Sequence, residues 1–213
     1  MLKTSKSNLE PTKSNAKIHT RSGLIYHIVC LAVYLAFFLI AGVSVFLGYI
    51  PFGPTQLTYL PLIVVIATVH LGFNGSLISG LGFGFSSFIA AFILGVIKYQ
   101  NFDLSVVPRV MMSLIVYLIY ILINMKNKPK MWKFLVLILA ATFLNTAFVL
   151  GSQYFHNKFI GEIKGILPPL EWMVAHTVNL ISEPLFNLLI GLAAYLPLLE
   201  IRKKYLERLN LSW

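Results

Sequence analysis

Arg109 is the side chain in this sequence whose position most needs a chemical reason. It stands in LSVVPRVMMSLIVYLIYILIN with apolar residues on both sides, whereas every other Lys or Arg falls in a loop, a tail or a helix end that meets water. A guanidinium in hydrocarbon costs about 3 kcal/mol on insertion scales, so it is usually paired, hydrated or functional. A second polar group lies near the other end of the chain. His176, Asn179, Glu183 and Asn187 are spaced by three, four and four residues, which puts them on one face of a helix. Pro184 follows Glu183 and loosens the backbone ladder there. Asn145, in LNTAF, stands in the middle of another apolar run. Together these groups offer a cation for a carboxylate and amides for the rest of a small anionic solute. Gln56 and Tyr59, with Thr55 and Thr58, can close over such a pocket.

Each of these residues also has a plainer role. Polar side chains in membrane helices bond one another, worth about 0.6 kcal/mol per contact. Arg109 can snorkel to the headgroups or pair with Asp103, although six residues of separation put the two on different helical faces. It can also pair with Glu183, which would leave the site with less pull on an anion. Tyr49, Tyr59 and Tyr99 suit an interfacial aromatic belt. His70 reads as structural. Neither a catalytic set nor a metal site is expected: His176 and Glu183 share a face but lack a third ligand. We therefore expect no enzyme and no cofactor of the chain's own.

The elements that carry these residues are apolar. Of 213 residues, 58% are hydrophobic and only 11% charged, against about 25% charged in soluble domains. Apolar runs longer than about 18 residues recur, as in a polytopic membrane protein. The expected fold is all-α with six membrane spans at 24–49, 57–73, 76–97, 104–124, 131–155 and 170–199. The prolines and glycine of IPFGPTQ make 50–56 a loop, and Asn74-Gly75 joins spans two and three as a tight hairpin. Three regions follow: a polar, solvated tail at 1–23, the membrane domain at 24–200 and a basic tail at 201–213. The run SGLGFGFSS lacks a strand–turn–helix context for phosphate, and its glycines suit close helix packing. Cys30, the single cysteine, excludes an intrachain disulfide and reads as a buried, inert thiol.

The net charge of +10 does not point to nucleic acid, because no basic face is interleaved with aromatics outside the apolar runs. With six spans, thirteen basic residues fall on the side of the two termini, and only Lys98, Lys158 and Lys164 on the other. By the positive-inside rule both termini are cytoplasmic. Arg109 then lies near the outer face, where a solute from outside would meet it.

These residues carry a family resemblance. The stretches IPFGPTQLTYLPLIVVIATVHLGFNGSLISGLGFGFSSF, LSVVPRV, LNTAFVLGSQY and NLISEPLFNLL, set in six spans, resemble a substrate-binding S component of an energy-coupling factor (ECF) transporter. SVVPR followed by NT is most similar to the pantothenate members of the pantothenate/riboflavin-like branch. The resemblance implies a multi-pass protein of a bacterial cell membrane that captures a vitamin from outside. It implies a transmembrane coupling subunit and two ABC-type ATPases as partners, which hydrolyse the ATP. It assigns Arg109 and Asn145 to the solute, matches Glu183 to a helix-six acid of the branch, and makes Ala32 and Ala36 on helix one the docking pair for the coupling subunit. Other vitamins (riboflavin, folate, cobalamin), an intramembrane enzyme and a scaffold without solute are the alternatives.

Overall fold

The computed structural model describes residues 13–52, 55–163 and 167–209. Helix α1 (Lys13–Val43) breaks at Ser44, and one turn, α2 (Val45–Gly48), leads into a two-stranded antiparallel hairpin of β1 (Tyr49–Phe52) and β2 (Thr55–Thr58). Then follow α3 (Leu60–Leu71), α4 (Phe73–Leu94), a short 3-10 turn at Ile97–Gln100, α5 (Phe102–Ser105), α6 (Val107–Leu122), α7 (Met131–Phe159), α8 (Pro169–Ala175) and α9 (Thr177–Arg208).

Among the described residues, five helical stretches are long and apolar enough to cross a membrane: Ser22–Val43, Phe73–Leu94, Phe102–Leu122, Met131–Phe159 and Thr177–Arg208. Their outward surfaces are strongly apolar, with Leu122 82% and Leu189 67% exposed. Water could not cover so much apolar area, and lipid can. The chain is a multi-pass, helical membrane protein. The short helix α3 lies at its centre: Leu60, Leu62, Val64, Val65 and Ala67 are fully buried on successive faces, as expected of a helix apolar all round. It packs against α4, α7 and α9.

Several expected boundaries shift, each for a local reason. Residues 50–52 and 55–56, expected as part of a loop, belong to the β1–β2 hairpin, with Tyr49 opposite Thr58 and Pro51 opposite Gln56. A two-stranded ribbon tolerates Pro51 on its free edge, and pairing satisfies backbone groups that hydrocarbon would leave stranded. The first helix starts at Lys13 rather than 24, so the helical part of the tail begins well before the apolar run; residues 1–12 lie outside the described residues. The α3–α4 turn falls at Gly72 and not at Asn74-Gly75. Gly72 adopts φ 66°, ψ −137°, which side chains rarely adopt. The fourth span is interrupted at Val106 and the sixth at His176. Cys30 is half-buried, not buried.

The glycines of α4 serve close packing in two directions. A Cβ on Gly82 would lie 2.9 Å from Phe38 Cβ on α1, one on Gly84 2.7 Å from Val106 Cα, and one on Gly80 would overlap Ser113 on α6. The alternating glycines thus let α4 sit against α1 on one side and α5–α6 on the other.

At the end of the bundle away from the hairpin, the start of α1 meets the end of α9. His27 Nδ1 lies 2.6 Å from the Tyr205 hydroxyl, and Asn74 Nδ2 lies 3.0 Å from His27 Nε2. Arg202 donates to the carbonyls of Val69 (2.7 Å) and Lys126 (3.0 Å), tying α9 to α3 and to the α6–α7 loop. His70 joins this end through Tyr34 at 3.1 Å, in line with its structural reading.

Candidate solute-binding site

The opposite end, where the hairpin lies, holds a cavity of about 400 Å³. Its walls come from β1–β2, the end of α4, the 97–100 turn, the start of α6, the middle of α7 and the α8–α9 break. This volume falls within the range of small-molecule sites, about 300–1,000 Å³.

Arg109 reaches the cavity from the first turn of α6. Pro108 explains its pose. A proline has no N–H, so the carbonyl four residues earlier, that of Leu104, loses its helical donor. Arg109 Nη1 takes that carbonyl at 2.6 Å. The guanidinium lies 5.3 Å from the centre of the Tyr99 ring and 5.6 Å from that of Phe83, within cation–π range. Tyr99 is fixed in turn: its hydroxyl accepts from Gln153 Nε2 at 3.1 Å, and its carbonyl accepts from the Ser105 hydroxyl. Arg109 is only 6% exposed, so it does not snorkel. Asp103 is not its partner either, because Asp103 Oδ2 lies 2.6 Å from His156 Nδ1 on α7. Among the described residues no ion pair joins Arg109 to Glu183. Its Nε is buried without a hydrogen-bond partner.

Asn145, Asn179 and Glu183 line the same cavity. Asn179 Nδ2 donates to Glu183 Oε2 at 3.3 Å, one turn along α9. The oxygens Asn145 Oδ1, Asn179 Oδ1 and Glu183 Oε1 are buried and unpartnered. Four of the expected residues, from three helices and spanning 74 positions of sequence, therefore converge on one space.

Of the other two expected solute residues, Tyr59 does not join them and the side chain of Gln56 is not among those described. Tyr59 is absent from the cavity wall, and its hydroxyl donates to the Leu47 carbonyl while its ring packs on Phe37. It follows the hairpin and caps the start of α3, so its side chain turns toward α1. Gln56 belongs to β2, but its side chain lies outside the described residues. Asn187, the last member of the helical stripe, also stays out of the cavity. It is fully buried and donates to the Thr58 carbonyl (3.1 Å) and Thr142 Oγ1 (3.3 Å), holding the hairpin against α7 and α9.

The cavity also uses residues without a functional assignment in the sequence. Tyr49 and Tyr99 line it, beside Thr58 of the expected closing residues, and the Tyr49 hydroxyl lies 2.8 Å from Ser87 Oγ. The two tyrosines are thus wall residues of the cavity. Lys98 adds a second cation. Trp172 and His176 form a flat wall at the α8–α9 break, their rings stacked 4.4 Å apart at 7°. The i, i+4 spacing of Trp172 and His176 is the sequence signal for that pair. Nothing local in the sequence marks Lys98.

Ala32 and Ala36 lie away from the cavity, exposed on α1. Only 11% of the apolar window of α1 is buried, so one whole side of this helix is uncovered by the other described residues. Among the described residues, no group of three or more His, Cys, Asp or Glu gathers as a metal site would need. No family model matches the chain, and no curated protein matches it.

Proposed function

We propose that this chain is the solute-capturing S component of an ECF-type vitamin importer in a bacterial cell membrane, and that its solute is a small anionic vitamin, pantothenate first. The observation that carries this reading is the state of Arg109: buried, held by a backbone carbonyl and two rings, in no ion pair among the described residues, and part of the cavity wall. A buried cation without an anion is costly, and a solute carboxylate would supply the missing partner through a charge-assisted bond. Asn145, Asn179 and Glu183 would meet the hydroxyl and amide groups. The termini face the cytoplasm by the distribution of basic residues, with six spans of which α3 is the short one. The cavity then opens toward the outside. The uncovered side of α1, with Ala32 and Ala36, would dock the coupling subunit, and two ABC-type ATPases would drive release inward.

Titration of the purified protein with a panel of water-soluble vitamins tests the proposal. Pantothenate should bind with nanomolar affinity, about −12 kcal/mol, and Arg109→Ala should abolish that binding. Tight binding of riboflavin, folate or cobalamin alone would refute the choice of vitamin. Copurification with two ATPase subunits separates the importer from an intramembrane enzyme or a scaffold.

A further inference from the structure

Among the described residues the cavity wall holds two cations, Lys98 and Arg109, against one acid, Glu183. The cations differ in depth: Arg109 is buried and Lys98 half-buried. Both stand by one ring, with Lys98 Nζ 5.2 Å and Arg109 Cζ 5.3 Å from the centre of Tyr99. Local structure keeps Lys98 there. Helix α4 ends at Gly95, whose φ of 68° turns the chain back, a conformation glycine adopts at no steric cost. The Val96 N–H and Gln100 Nε2 both donate to the Ala91 carbonyl, at 2.9 and 3.3 Å, so the turn that carries Lys98 is tied to the end of α4. Asp103 is the nearest acid along the sequence, and it is held by His156 at 2.6 Å. Among the described residues, neither Lys98 nor Arg109 belongs to an ion pair.

From this outer and inner pair we infer that Lys98 is a capture residue: it draws the anionic group of the solute to the cavity and yields it to Arg109, and so sets how fast the solute enters, not how long it stays. This rests on the proposed capture of an anionic vitamin and adds how the anion reaches its site. A partly exposed ammonium gains little lasting energy from a carboxylate, because water and salt screen the pair. Its field still acts on an anion at a distance, and rim charges govern the association rate and its salt dependence. Lysine suits this step better than arginine. Its ammonium is a hydrated point charge on a flexible stem, which releases a carboxylate more readily than the fixed fork of Arg109.

Stopped-flow rates on the full-length protein in an uncharged detergent test the inference. The probes are pantothenate and panthenol, which has the same skeleton with an alcohol in place of the carboxylate. At low salt, Lys98→Gln should slow pantothenate association by about three- to tenfold and alter its dissociation by less than about twofold. The slowing should shrink as salt rises from about 0.01 to 0.15 M and the Debye length contracts. Lys98→Arg should restore the association rate, since it restores the charge. Panthenol, which has no charge to draw, should associate equally fast with wild type and Lys98→Gln. Unchanged pantothenate association in Lys98→Gln, or a change confined to dissociation, overturns the inference and leaves the vitamin reading standing. So does an equal slowing of panthenol, which would make Lys98 a support of the wall. Failure of the wild-type protein to bind pantothenate overturns the choice of vitamin and the inference with it.

Discussion

Arg109 Nη1 holds the Leu104 carbonyl at 2.6 Å, five residues back across the break at Val106. The bond fills the gap left by Pro108 and fixes the plane of the guanidinium at the cavity wall. Charge alone would not reproduce this, because a lysine is a point donor on a flexible stem. Arg109→Lys should weaken pantothenate binding by about tenfold, and Arg109→Ala by at least about 100-fold. Calorimetry on the two variants checks this, and equal affinity for Arg109→Lys and wild type would show that the fork geometry is irrelevant.

Tyr99 covers Arg109, and its segment is pinned to α7 twice, by Gln153 and by the Asp103–His156 pair. Loosening the pins should let this wall move without altering the groups that bind. We expect Asp103→Asn and Gln153→Leu each to speed solute release by about three- to tenfold, with a smaller change in association, since affinity differences reside mostly in the off-rate. Stopped-flow exchange of bound solute reads this; an unchanged off-rate in both variants would show the wall to be fixed by packing alone.

Gly80 faces Ser113 so closely that no side chain fits. Gly80→Val should force α4 from α6 and destabilise the protein by about 1–3 kcal/mol. Gly151 in α7 has nothing within 4 Å of a built Cβ, so Gly151→Ala should be neutral or stabilising by up to about 1 kcal/mol. Thermal unfolding in detergent compares the two; similar losses at both sites would contradict the packing described.

At Gly72 a Cβ would also meet open space, but φ is +66°. The cost of Gly72→Ala is then backbone strain without a clash, about 1–3 kcal/mol. A larger side chain at the same position should cost about as much as alanine. A steep dependence on side-chain size, measured by thermal unfolding, would instead indicate a hidden contact.

Much of this arrangement was legible in the sequence because membrane helices announce themselves by length and hydropathy. Arg109, Asn145, Asn179 and Glu183 stood out as polar groups in apolar runs, and they meet in one cavity. Asn187 had the same signal and a different fate, since periodicity places a residue on a face but does not say which neighbour that face meets. The hairpin was hidden because Pro51 and Gly53 read as breakers, and β pairing depends on a partner strand more than on local propensity. Tyr59 was misplaced with it. The Asp103–His156 pair spans 53 positions, and no local pattern signals a contact made only by tertiary packing.

Helix α3 has 12 residues, a rise of about 18 Å, against a hydrocarbon thickness of about 30 Å. A lipid-facing helix so short would thin the bilayer around it. Walled in by α4, α7 and α9, α3 meets protein on all sides and is freed from that matching. In the proposed orientation, the remaining depth goes to the hairpin and the cavity beside it, which would set the floor of the site below the headgroup level. A solute bound there must shed its hydration before it is recognised, and one whose polar groups go unmatched regains nothing for that loss.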